Sequence, residues 1–125
     1  MSQESIPAAI NLEEKLALFS EHWSPKIVAK MNDYYFKLVK VEGEFVWHSH
    51  PDTDEVFLVV QGEMRIDFRG GAVELKQGEL LVVPRGADHR PYAERECQIL
   101  VIEPEKTINT GDAGGDRTVI DLEWI

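Results

Sequence analysis

The sequence predicts an all-β fold, an antiparallel sandwich or barrel with one short N-terminal helix. Three observations predict it. From Lys26 onward, short β-type runs are punctuated by Gly43, Pro51-Asp52, Gly62, Gly70-Gly71, Gly78 and Pro84-Arg85-Gly86, with no helical period between them. Only "AINLEEKLALFS" repeats apolar residues at helical spacing. A chain of 125 residues with a 43% hydrophobic share builds one domain with a real core and leaves no room for another.

The helix is expected over about residues 11–20. Asn11 caps it, Glu14 follows three residues later as in a capping box, and Leu12, Leu16 and Phe19 form a face that docks onto the sheet. Pro25 cannot continue a helix and biases Ser24 toward extended geometry. Strands are expected over 26–31, 33–42, 44–50, 54–60, 63–69, 72–76, 79–83, 88–92 and 96–103, so the β core occupies about 26–103. The tail, 104–125, opens as a glycine-rich linker and closes as an alternating segment. Ile120, Leu122 and Trp124 share one face there, with Asp121 and Glu123 on the other. Leaving such a stripe in water forgoes roughly 1.5–3 kcal/mol per large side chain. It is expected to fold back on its own chain or to add to a neighbour.

Composition excludes several functions. The formal net charge is −10, and the 13 basic residues are scattered, so nucleic acid is not an expected partner. No apolar run approaches the roughly 20 residues that span a bilayer. "MSQESIPAAI" lacks the basic-then-apolar order of a signal peptide. The one cysteine, Cys97, precludes an internal disulfide and sits in the apolar run "CQILVIEP", where it reads as a small buried hydrophobe. A cytoplasmic location is the resulting expectation.

Chemistry concentrates in "EFVWHSHPDTDEVFLVVQG", residues 44–62. The chain has four histidines, and His48 and His50 lie here, two apart on an expected strand and therefore on one face. Glu55 stands five residues past His50, an offset that reverses its face unless the turn-forming "PDTD" brings it back. His89 follows the Pro84–Gly86 turn. Three imidazoles and one carboxylate suit a first-row divalent ion such as Zn, Fe, Mn, Ni or Co. The remaining histidine, His22, has no partner in this pattern and reads as a surface or packing residue. Trp47 alternates with His48 and reads as packing. Phe57, Val59 and Tyr92 are expected to line an apolar pocket, with Lys37, Arg85 and Arg90 the basic residues best placed to meet an anionic ligand.

These stretches resemble the two motifs of the cupin superfamily. "GEFVWHSHPDTDEVFLVVQG" is similar to the first, with its His-x-His, a glutamate four residues on and a later glycine; "GELLVVPRGADH" is similar to the second. The chain departs from the pattern twice. Four residues separate Gly43 from His48 where five are usual, and Ala93 stands where asparagine is common. Neither departure removes a ligand. The resemblance implies a single small cupin domain over 1–125, a double-stranded β-helix or jelly-roll barrel with metal held inside by His48, His50, Glu55 and His89. It further implies a small-molecule ligand or substrate and a homodimer.

A fold with a metal names no reaction. The leading expectation is a metal-dependent enzyme acting on a small organic molecule by oxygenase- or isomerase-type chemistry, with Glu55 a candidate catalytic base. The alternative is a non-catalytic binding or sensing module with a structural metal or none. An epimerase-like cupin that needs no metal is a third, disfavoured because it does not require this full ligand set.

Overall fold

The structure is a computed structural model and describes residues 5–125. Helix α1 (Leu12–Leu16) is shorter than the sequence suggests. Its start is as expected: Asn11 Oδ1 accepts the Glu14 N–H at 2.9 Å. Its end is set by the sheet. The Lys40 ammonium donates to the Phe19 carbonyl at 2.6 Å, and the Trp23 N–H donates to the Lys40 carbonyl at 2.8 Å. The chain is thus drawn into pairing before another turn forms. The expected face does dock, with Leu16 and Phe19 buried against Val28, Leu38 and Leu100. Replacing Asn11 by alanine is expected to cost about 1 kcal/mol, read by urea unfolding.

Eight strands follow: β1 (Lys26–Met31), β2 (Tyr34–Glu44), β3 (Glu55–Gln61), β4 (Glu63–Phe68), β5 (Gly71–Lys76), β6 (Leu80–Val83), β7 (His89–Pro104) and β8 (Glu123–Trp124). The hydrogen-bonded path runs β5-β4-β7-β2-β1-β8, and β3 joins it through β7 and carries β6. The path does not close on itself. Pairing is antiparallel except for the short parallel contact of β8 with β1. Strand β7 organises the fold: its first residues pair with β4, its later ones with β2 and β3. The main core lies between these strands, with Val41, Phe57, Val59, Ile66 and Ile99 among its buried members.

Three expectations need correction. The separate strands at 88–92 and 96–103 are one 16-residue strand carrying a bulge: Ala93 pairs with Gly43 and Cys97 with Val41, and the exposed Glu94-Arg95-Glu96 between them has no partner in the ladder. Residues 44–50 are not a strand beyond Glu44. The Val46 carbonyl is taken by the His48 ring; the Phe45 N–H reaches the Pro91 carbonyl at 2.9 Å, and beyond it β7 is met through the reciprocal bonds between the backbones of His48 and His89, at 3.0 and 2.9 Å. The glycine-rich stretch after β7 is not a loose linker. Asn109 bonds the backbone of Arg117 and Val119, and the fully buried Thr110 shares a 2.6 Å hydroxyl bond with Thr118.

The terminal stripe is only partly covered. Trp124 packs edge-on to Tyr35, yet it stays 53% exposed and Ile120 79% exposed, so the chain's own barrel does not bury it. Cys97 is fully buried, as expected, and burial raises its thiol pKa to about 12. Among the described residues, no helix is long and apolar enough to cross a membrane.

Candidate metal centre

His48, His50, Glu55 and His89 come together although two of them lie in irregular backbone. Each offers one ligand atom, those atoms lie within 4.8 Å of one another, and all four side chains are buried. The assembly is local. Two backbone bonds tie His48 to His89. The Gly86 N–H donates to the His50 carbonyl at 2.9 Å, and the Arg85 N–H donates to Asp54 Oδ1 at 2.8 Å. Pro84-Arg85-Gly86 is therefore pinned against the His48–Asp54 loop, with Gly86 at φ +79°, where only glycine is unstrained. The turn at 51–54 restores the inward face to Glu55, which opens β3 with Phe57 and Val59 on the same buried side.

Backbone carbonyls fix the tautomers. His48 Nδ1–H donates to the Val46 carbonyl and His89 Nδ1–H to the Ala87 carbonyl, each at 2.9 Å, which turns both Nε2 atoms toward the cluster, that of His48 with its lone pair available and that of His89 against Glu55. Glu55 Oε1 lies 3.3 Å from His89 Nε2 and 3.4 Å from His50 Nε2. The second contact lacks hydrogen-bond alignment, so His50 Nε2 is buried without a hydrogen-bond partner. A buried imidazole nitrogen left that way is costly. A divalent ion would satisfy it, so the donor set fits a metal.

The charge states of His48 and Glu55 suit that use, whereas on His89 an ion would have to displace a proton. Burial, reinforced by the neighbouring His89, lowers the His48 pKa to about 4 and keeps its ring neutral. Burial works against charge on His89, but the bond to Glu55 outweighs it and moves that pKa up. Burial alone would raise Glu55; Glu103, His50 and His89 packed around its carboxylate reverse this and hold it well below the usual carboxylate range. The His48 shift has a consequence for stability without metal. Below pH 6.5 the unfolded chain binds a proton at His48 that the folded chain refuses until about pH 4. Stability therefore falls with pH across that window, by about 3 kcal/mol for a shift of this size. His48→Gln should flatten that part of the pH–stability curve in urea unfolding of metal-free protein.

The other candidates separate. A cavity of about 50 Å³ adjoins the site, lined by His48, Glu55 and apolar residues including Phe57, Val41 and Val101. Val59 is core, and Tyr92 lies outside the cavity beneath the Arg65 guanidinium. Arg85 is exposed beside Asp54, while Arg90 pairs with Asp67 and Glu44 over Trp47, so neither lines the cavity. Trp47 is a platform for Arg69, 3.7 Å away, consistent with packing. His22 makes a partly exposed 2.8 Å contact to Glu96, away from the cluster. Lys37 does reach the cavity, but its ammonium is held by Glu103 at 2.8 Å.

Glu103 was not anticipated, although the signal was present. Ile99, Val101 and Glu103 share a two-residue period, as do Lys37, Val39 and Val41, and both charges fall on the inward face. Nor was the segment after β7 anticipated. Asp112 accepts the Ser49 N–H at 2.8 Å and its hydroxyl at 3.2 Å, and returns an N–H to the Ser49 carbonyl at 3.1 Å. The tail thus clasps the residue between the two histidines.

Comparison with known proteins agrees with this architecture. Residues 35–103 match the family described as Cupin domain. The uncharacterized protein YdbB of Bacillus subtilis is 37% identical over 89 residues, 70% of this chain and 73% of YdbB. The crystal structure of a cupin-2 domain containing protein from Shewanella frigidimarina is 57% identical, with a TM-score of 0.76 over 76% of this chain and 93% of that one. Hydroquinone 1,2-dioxygenase PnpCD, in complex with Cd2+ and 4-hydroxybenzonitrile, is 20% identical, with a TM-score of 0.62 over 82% of this chain and 80% of that one. At that identity the likeness shows the fold alone.

Proposed function

The chain belongs to the cupin family, and from that premise we propose that it is a metal-dependent enzyme acting on a small organic molecule, its ion held by His48, His50, Glu55 and His89. One observation carries this: four buried donors within 4.8 Å of one another, with two imidazole tautomers fixed by backbone carbonyls. A divalent ion held there (Zn, Fe, Mn, Ni or Co) would act as a Lewis acid or redox centre. The chain's own residues fix the rest. Apolar walls exclude water, Glu103 and Lys37 supply polar groups at the cavity, and Glu55 is the carboxylate placed to take a proton. The cavity is about a third of the roughly 150 Å³ that admits benzene in an engineered apolar site, so it takes the end of a ligand and not a whole aromatic ring.

Elemental analysis of untagged protein tests the proposal. One Fe, Mn or Ni per chain supports oxygenase-type chemistry. One Zn supports isomerisation or hydrolysis over oxygen chemistry. Protein that takes up no ion on reconstitution rejects the enzyme reading in favour of a binding or sensing module.

The proposed assembly is a symmetric homodimer in a cytoplasmic protein. Ile120 and Trp124 on the tail, and Leu80 and Val82 on the edge strand β6, are exposed apolar groups that a second copy would cover. Light scattering at micromolar concentration should give twice 14.2 kDa; the single-chain mass rejects the dimer. An unchanged dimer after deletion of residues 116–125 would clear the tail of that role.

A further inference from the structure

The cavity beside the candidate ligands has one way out. Of the described residues that line it, all are buried except Trp23 and Asn109, which are half-buried. Its mouth therefore lies between the N-terminal segment and the tail, with His48 and Glu55 in the buried wall. One arginine meets both mouth residues. The Asn109 side-chain amide donates to the Arg117 carbonyl at 2.8 Å. The Arg117 guanidinium lies 5.4 Å from the Trp23 ring centre and 5.8 Å from that of Phe45. Trp23 and Phe45 are stacked with their centres 4.7 Å apart, and Phe45 meets the His48 ring edge-on at 5.5 Å. A file of rings thus runs from an exposed guanidinium to a candidate metal ligand.

Arg117 also differs from most of the other arginines. Arg65, Arg69, Arg85 and Arg90 each hold a carboxylate, whereas Arg117 has no such partner among the described residues. In a chain of net charge −10, that is not for want of acidic residues. A guanidinium resting on aromatic faces keeps its edge N–H groups for a partner in its own plane.

We propose that Arg117 determines specificity at this mouth: its guanidinium donates paired hydrogen bonds to the carboxylate of a small organic acid, whose unbranched apolar body passes Trp23 and Phe45 into the cavity. This deepens the proposed function, on which it rests, by naming the substrate class. Val41, Phe57, Ile99 and Val101 line the interior, so the charged end is favoured outside and the apolar part within. A single guanidinium matches one carboxylate in two parallel bonds. The acidic chain around it disfavours a dianionic phosphate.

Calorimetric titration tests this on wild type, Arg117→Gln and Arg95→Gln, each zinc-loaded and metal-free. The probes are butanoate, hexanoate and octanoate, each against its primary amide, which keeps the shape and removes the charge. Arg95 is the control. It is exposed on the β7 bulge, does not line the cavity, and its loss changes the net charge equally. Arg117→Gln is expected to fold, because Asn109 bonds the Arg117 carbonyl and not its side chain. Wild type should prefer at least one acid over its amide by about tenfold, the low end for hydrogen bonds to a charged group. Arg117→Gln should abolish that preference, and Arg95→Gln should keep it. A preference that survives in Arg117→Gln, as it would if the acid bound at the ion, overturns the assignment. An equal loss in Arg95→Gln does so too, since net charge alone would then explain the effect. Absence of any preference in wild type, at every chain length, overturns it as well. The metal function fails separately. Protein that takes up no ion but shows the Arg117-dependent preference keeps this mouth and loses the metal; zinc-loaded protein without the preference keeps the metal and loses the mouth.

Discussion

His50→Ala is expected to drop bound metal from one ion per chain to less than about a tenth of that, under conditions that saturate the wild type. Loss of a supporting residue alone typically costs 10- to 100-fold in affinity, and a ligand costs at least as much. His50 is the sharpest choice because its Nε2 is buried with no hydrogen-bond partner, and a bound ion would satisfy it. The fold should survive. The His50 carbonyl, which pins Gly86, is untouched, and the apolar core lies elsewhere. Stability is expected to fall by only about 1–3 kcal/mol, as for ordinary buried truncations. Elemental analysis and far-ultraviolet dichroism together decide it: wild-type metal content in a folded His50→Ala protein removes His50 from the site.

Much of this site was legible in the sequence because it is built from short-range rules. His48 and His50 are two residues apart, the turn after Pro51 resets the inward face for Glu55, and Pro84 to Gly86 delivers His89. The expectation that the histidines sit on a regular strand was wrong in a way that did not matter. The strand yields to side-chain and bridge bonds, and both rings still turn inward. Residues joined only by long-range pairing were harder to see. Lys37 and Glu103 are 66 positions apart. Their inward alternation was visible in each strand, but their contact depends on the β2–β7 register, which no local pattern states. The tail misled for another reason. Glycines signal a chain free to bend, and they equally signal a chain that must approach another backbone closely; the sequence "TGDAGG" is compatible with both.

Gly111 is where the close approach becomes decisive. Its φ is +52°, and a Cβ built there would lie 2.2 Å from the Ser49 carbonyl oxygen and 3.1 Å from His48 Cδ2. The contact at Ser49 is with backbone, which cannot rotate away as a side chain would. Gly111→Ala must therefore lift the tail or push the Ser49 backbone, and either movement breaks the Asp112–Ser49 bonds. Left-handed strain contributes about 1–2 kcal/mol, and the lost bonds a similar amount. A destabilisation of about 2–4 kcal/mol is expected in urea unfolding. Gly114 is the control: its φ is +64°, but nothing lies within 4 Å of a Cβ there, so Gly114→Ala should show the strain alone. Because His48 lies under the clasp, Gly111→Ala should also weaken metal uptake about 10- to 100-fold, while Gly114→Ala leaves it unchanged. Equal effects of the two substitutions on both stability and metal uptake would show that the tail does not hold His48 in place.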